Sequence, residues 1–205
     1  MRTQVAIIGG GPAGLLLSHI LDRNGVDSIV LERQSRSYVL ERIRAGVLEN
    51  GSVTLLREVG LGTRMDRDGH PHHGSAIAWE GRERFFIDTK KFTGKIMMTY
   101  GQTALTEDLY AARDAAGGKV IDQAADVQLH ELTSNRPYVT YEKDGVYLHF
   151  AGREEPSGDA TAVVLIVEEI VVKDWKWITN RNLISSALHA NQVWSREAQA
   201  AVYGS

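Results

Sequence analysis

Apolar residues switch between two rhythms within the first thirty positions of the chain. Residues 4–8 form a short run rich in β-branched side chains that ends in glycine, the pattern of a strand buried on both faces. Over residues 12–24 the apolar positions are Ala13, Leu16, Leu17, Ile20 and Leu21. That is helical spacing, and Asn24-Gly25 ends it as a natural C-cap. Residues 26–31 return to the strand rhythm. Strand, glycine turn, helix and strand make a βαβ unit.

Further along, the spacing predicts a short helix over 52–59 and a longer one over 103–116, stopped by Gly60 and by Gly117-Gly118. Residues 70–74 read as a polar turn. Segments 75–79 and 84–88 flank Glu80-Gly81-Arg82 as a hairpin. Residues 120–121 and 127–132 read as strands. Segments 138–141 and 146–150 alternate around Lys143-Asp144-Gly145, a strong hairpin signal. Residues 151–160 shift to Gly, Arg, Glu, Pro and Ser and read as a loop or junction. Residues 162–172 are the most β-prone stretch in the chain, interrupted only by Glu168 and Glu169. Residues 174–205 are polar and weakly helical, with Trp175, Trp177 and Trp194. There is no internal repeat.

Composition narrows the classes. The chain has 205 residues, 43% hydrophobic and 24% charged, with a net charge of −3. That is enough apolar material for a core and excludes wholesale disorder. The mildly acidic balance argues against a nucleic-acid partner. The absence of cysteine excludes disulfides, thiolate zinc sites, iron–sulfur clusters and a cysteine nucleophile, and is compatible with a reducing cytoplasm. Arg2 and the apolar stretch after it imitate a signal peptide, but three consecutive glycines and Pro12 break the run and no cleavage site follows. No apolar run reaches the roughly 18 residues of a membrane span.

The chemistry sits in Gly9-Gly10-Gly11-Pro12-Ala13-Gly14, a G-x-G-x-x-G between strand and helix, with Glu32 closing the second strand. Gly9 permits the tight turn, Gly11 lets a pyrophosphate approach the backbone, and Gly14 lets the helix pack on the strand. The helix N-terminus offers free N–H groups to a diphosphate. Glu32 can accept bonds from ribose hydroxyls. These residues indicate a dinucleotide without choosing between NAD and FAD.

The segments that follow are more specific. They are Glu32-Arg33-Gln34, Tyr38, the run Arg42-Ile43-Arg44-Ala45-Gly46-Val47-Leu48, Tyr100-Gly101-Gln102-Thr103 and Arg136-Pro137-Tyr138-Val139-Thr140. In order and spacing they resemble the flavoprotein aromatic hydroxylases, from residue 1 to about 150. The resemblance implies an α/β fold: a Rossmann-like FAD-binding parallel sheet with helices on both faces and an antiparallel β insertion and hairpin. It implies an FAD-binding domain over 1–150, with 70–98 as the start of a substrate-domain-like insertion, and leaves 151–205 an unassigned tail. It implies that Gly9, Gly11, Gly14 and Glu32 hold the ADP half of FAD, and that Arg44, Val47 and Gln102 line the flavin and its phosphates. Arg33, Gln34, Tyr38 and Arg42 match the segment associated with NADPH recognition. His72 matches a histidine that relays the phenolic proton. The implied reaction is NADPH-dependent hydroxylation of 4-hydroxybenzoate to 3,4-dihydroxybenzoate, in a cytoplasmic protein able to form a homodimer.

Read without the resemblance, Arg33, Arg42 and Arg44 are first a solvated basic face, though a guanidinium cluster beside a pyrophosphate loop favours phosphate contact. His72, in the cluster His70, His72 and His73, reads by default as a surface turn, ahead of a proton relay and of a metal site; with no acidic ligand at metal spacing, no metal is expected. The family also carries an Asp-Gly motif at the flavin and a strand-borne Gly-Asp motif. Here Asp68-Gly69, Asp144-Gly145 and Gly158-Asp159 are turn dipeptides, and nothing after Phe150 matches the family's substrate domain. The expectation is a truncated or impaired hydroxylase. The alternative is a non-catalytic FAD or dinucleotide-binding module, and the glycine loop alone would also allow an NAD-dependent dehydrogenase.

Overall fold

The computed structural model describes residues 2–42, 46–131, 137–154, 160–161, 163–166 and 170–171. The expected weak helix over 174–205 lies outside them. The chain divides into two units, one of residues 1–42 and 106–205, the other of residues 43–105.

The elements run β1 (Arg2–Thr3), β2 (Val5–Ile8), α1 (Pro12–Arg23), β3 (Ser28–Leu31), α2 (Arg36–Glu41), β4 (Val47–Leu48), α3 (Asn50–Glu58), α4 (Thr63–Asp68), β5 (His70–His72), β6 (Ser75–Ile77), β7 (Phe85–Ile87), α5 (Thr89–Thr93) and β8 (Met97–Thr99). They continue with α6 (Gln102–Ala115), β9 (Lys119–Ile121), β10 (Ala125–His130), β11 (Tyr138–Lys143), β12 (Val146–Glu154), β13 (Ala160–Thr161), β14 (Val163–Ile166) and β15 (Ile170–Val171).

In the first unit, β14, β2, β3 and β9 lie side by side in parallel, and β15 pairs antiparallel with β14. The β-prone stretch near the end of the sequence thus supplies a strand beside Val5–Ile8, as its composition suggested. Helix α1 covers one face: its buried residues include Leu15, Leu16, Leu17, Ile20 and Leu21. Ile7 points at this helix, its Cγ2 lying 3.2 Å from where a Cβ on Gly14 would sit. Each such fully buried aliphatic side chain contributes about 1.5–3 kcal/mol. A buried hydroxyl pair, Ser18 Oγ and Ser28 Oγ at 2.7 Å, also ties α1 to β3.

The layering is more particular than helices on two faces. Alternation turns Ala6 away from α1, and Ala6, Ile29 and Leu31 form a core cluster with Ala124, Val139 and Tyr141. The cluster therefore joins the parallel sheet to β10–β11–β12, a second, antiparallel sheet. The β11–β12 turn holds Asp144 and Gly145 at φ 55° and 78°, the left-handed pair that a two-residue hairpin demands. Residues 151–154, expected to be loop, instead prolong β12. The strand runs on because β1 pairs with it at Arg2↔Ala151 and β13 at Arg153↔Thr161, which satisfies its backbone.

In the second unit, β4, β8 and β5 form a small antiparallel sheet, and β6 pairs with β7 as expected. The polar turn read over 70–74 is corrected: His70–His72 is a strand pairing with Met97–Thr99. Pro71 is tolerated there because β5 is an edge strand and needs no donor at every position. Among the described residues, no helix is long and apolar enough to cross a membrane.

Candidate nucleotide site

The glycine loop leaves β2 and enters α1. Gly9 takes φ 113°, a region side chains rarely adopt, and its N–H donates to Leu31 O at 2.7 Å, fixing the loop to β3. A Cβ on Gly14 would run into the Gly9 carbonyl, so only glycine lets α1 start this close to the strand. Gly11 differs: nothing lies within 4 Å of its Cβ position. It is the N-cap of α1, no side chain caps that end, and the first turn carries no acidic residue. Uncapped N–H groups beside a glycine whose Cβ position is open suit a cradle for an anion.

Glu32 stands just beyond β3. Its Oε2 accepts from Gly10 N at 2.7 Å and its Oε1 accepts from Gln34 N at 2.8 Å. A carboxylate offers about four acceptor positions, so two remain for hydroxyl donors. The acid therefore braces the loop with acceptor capacity to spare. A Cβ on Gly10 would lie 2.8 Å from Glu32 Cβ, which keeps that position glycine too.

The remaining candidates are distributed. Arg33 is exposed, Gln34 is half-buried, Tyr38 is 48% exposed on α2, and Arg42 is exposed at the end of α2. Arg44 lies outside the described residues. In the second unit, Val47 is exposed in β4 and Gln102 opens α6. His72 sits in β5 with Nδ1 3.1 Å from Gly74 O. Its Nε2 is buried with no hydrogen-bond partner among the described residues. With Nδ1 donating to that carbonyl, Nε2 is left as an acceptor. The described residues contain no cluster able to hold a metal ion.

Sequence reasoning missed a group beside the nucleotide turn. Tyr110 is buried in α6 and the Arg36 guanidinium lies over its ring, 4.3 Å from the centroid. Arg36 Nη2 donates to Asp114 Oδ2 at 2.7 Å. Burial, helped by the charge of Glu32, pushes the Tyr110 phenol up to about 12. Lys143 donates to Asp122 and holds that carboxyl below its usual range. The only signal in sequence was the i,i+4 spacing of Tyr110 and Asp114, which names no partner as distant as Arg36.

Glycine loop, braced acid and parallel sheet define a nucleotide-binding fold, and comparison narrows it. Residues 2–151 match the FAD-binding domain family, and the chain belongs to that family. It is 43% identical to a p-hydroxybenzoate hydroxylase of Acinetobacter baylyi over 148 residues, which is 72% of this chain and 36% of that protein. It is 34% identical over 112 residues to a 6-methylpretetramide 4-monooxygenase of Streptomyces rimosus, 53% of this chain and 26% of that one. The chain thus spans about a third of the length of the first relative and about a quarter of the second. Among solved structures, a p-nitrophenol 4-monooxygenase of Pseudomonas putida shares the fold with a TM-score of 0.64 at 16% identity, over 80% of this chain and 40% of that one. An anhydrotetracycline hydroxylase of Streptomyces rimosus does so with a TM-score of 0.62 at 23% identity, over 80% and 31%.

Proposed function

We propose that the chain holds FAD and represents the nucleotide-binding part of a monooxygenase that uses NADPH and oxygen to convert 4-hydroxybenzoate to 3,4-dihydroxybenzoate. The observation that carries the reading is the open, uncapped cradle at Gly11 beside a braced Glu32, in a chain 43% identical to a p-hydroxybenzoate hydroxylase. Bound FAD supplies the redox and oxygen-activating chemistry. The first-turn N–H groups of α1 bind the diphosphate, with the helix dipole favouring its charge. Glu32 takes the ribose hydroxyls on its two remaining acceptor positions. Arg44, Val47 and Gln102 are assigned to the flavin and its phosphates by the resemblance. Arg33, Gln34, Tyr38 and Arg42 receive NADPH, and the exposure of Arg33, Tyr38 and Arg42 leaves them accessible. His72 takes the phenolic proton on Nε2, the atom its contact with Gly74 O leaves unprotonated.

A second reading, an FAD-binding module without turnover of its own, is favoured by one observation: the chain spans 36% of that hydroxylase. Hydroxylation needs a closed pocket that shields the reacting centre from water, and the resemblance stops near residue 151. NADPH oxidation by the FAD-loaded chain, with and without 4-hydroxybenzoate, separates the two. The expected outcome is consumption of NADPH with hydrogen peroxide as the main product and little dihydroxybenzoate. Stoichiometric dihydroxybenzoate would establish a working pocket within these 205 residues. No NADPH consumption by the flavin-loaded chain would leave the module.

A further inference from the structure

The turn that carries Glu32 is laid along the segment after β9. Glu32 N donates to Ile121 O at 2.8 Å, Ala124 N donates to Glu32 O at 2.9 Å, and Gln123 N donates to Gln34 O at 3.1 Å. These bonds fix the near end of the turn. At its far end the chain must enter α2, a six-residue helix with no buried residue. A helix this short, with no fully buried side chain, has little of its own to hold it in place. Arg36 is its first residue, and its N–H and guanidinium reach back to the segment after β9 and to α6. Its N–H points at Asp122 Oδ2 at 3.4 Å, and Asp122 is held in turn by Lys143 Nζ at 3.0 Å. Its guanidinium bonds Asp114 and lies over the ring of Tyr110. Tyr110 is 1% exposed, so the ring is a fixed platform rather than a mobile neighbour.

We propose that Arg36 is a positioning residue for the nucleotide turn: clasped by Tyr110, Asp114 and Asp122, it holds residues 32–34 where Glu32 can brace Gly10 and meet a ribose. The role in ligand binding rests on the FAD reading above; the clasp itself does not. Arg36 touches no nucleotide in this scheme. It acts through Gln34, whose N–H is bonded to Glu32 Oε1 two residues away. A cation over an aromatic ring and an exposed ion pair are each modest interactions, so the expected effects are several-fold rather than thousand-fold.

The test uses the full chain with Arg36→Ala, Arg36→Lys, Tyr110→Leu and Tyr110→Phe. Two quantities are read: amide hydrogen exchange at Gly10 and Gln34 without ligand, and FAD affinity by fluorescence titration. Arg36→Ala should speed exchange at both amides about 5-fold and weaken FAD about 3- to 10-fold, at an unchanged thermal midpoint. Arg36→Lys should recover part of both. Tyr110→Leu should imitate Arg36→Ala, Tyr110→Phe should match the parent, and the double variant Arg36→Ala/Tyr110→Leu should be no worse than either single one. Unchanged exchange at Gly10 and Gln34 in Arg36→Ala overturns the clasp whatever FAD does. Faster exchange in a chain whose parent binds no FAD upholds the clasp and overturns the flavin reading. Faster exchange with unchanged FAD affinity overturns the role in nucleotide binding.

Discussion

Strands β2 and β3 and the hairpin β6–β7 are written in the same alphabet of β-prone apolar residues, yet they meet opposite surroundings. Ile7, Val30 and Leu31 are 0–1% exposed, between a helix on one side and a second sheet on the other. Ile77, Phe85 and Phe86 are 46–58% exposed, and β6 and β7 pair only with each other among the described residues. A strand signal reports that backbone will pair. It does not report how many layers will cover the result. The nucleotide loop grows from the covered strands, where packing on both faces fixes the backbone that carries the glycine turn.

Substitutions on the two sides should separate cleanly. The largest effect is expected for Ile7→Ala, which opens a cavity between β2 and α1 and should cost about 2–5 kcal/mol in denaturant unfolding. A cost below about 1 kcal/mol would mean that the parallel sheet is not the core. Gly14→Ala comes next. Its Cβ meets the Gly9 carbonyl, backbone that cannot rotate away, and the expected cost is about 1–3 kcal/mol, read the same way.

Tyr110→Phe sharpens the comparison through pH. The phenol titrates near 10 in the unfolded chain and is raised to about 12 in the fold. A raised acid holds its proton longer when folded. The stability it supports is complete below pH 10 and is lost as pH climbs from 10 towards 12, by about 2–3 kcal/mol in all. Tyr110→Phe should abolish that alkaline loss. At pH 7 it should leave stability equal or slightly higher, since the hydroxyl has no hydrogen-bond partner among the described residues. Thermal melts of both proteins from pH 7 to 11.5 check this; parallel curves would contradict it. The smallest effect belongs to the hairpin. Phe86→Ser removes a half-exposed ring and should cost about 1 kcal/mol or less.

The same contrast explains what was legible in the sequence. Helix α1 was readable because its buried positions recur at helical spacing between Pro12 and Asn24-Gly25, two boundary signals that act locally. The β11–β12 turn was readable because Asp144-Gly145 can take two left-handed residues cheaply. The strand His70–His72 was not. Its histidines and proline carry no strand preference, and it exists because Met97–Thr99 offers a pairing edge. Helix α2 was not read as a helix either, since it has no apolar stripe; Ser35 caps it by accepting from Tyr38 N. In the candidate site, the glycines and Glu32 were legible because their roles are local backbone geometry. The Arg36–Tyr110–Asp114 group was not, because it joins residues 78 positions apart.

The central claim is that the cradle at Gly11 receives the diphosphate of FAD. FAD titration of the parent chain and of Gly11→Ala, each accompanied by a thermal melt, tests it most directly. Gly11 has open space around its Cβ position and an ordinary negative φ of −75°, so the variant should fold as well as the parent. The added methyl should stand where the phosphates approach, weakening FAD at least about 10-fold, or about 1.4 kcal/mol. Equal FAD affinity in two equally stable proteins would contradict the claim.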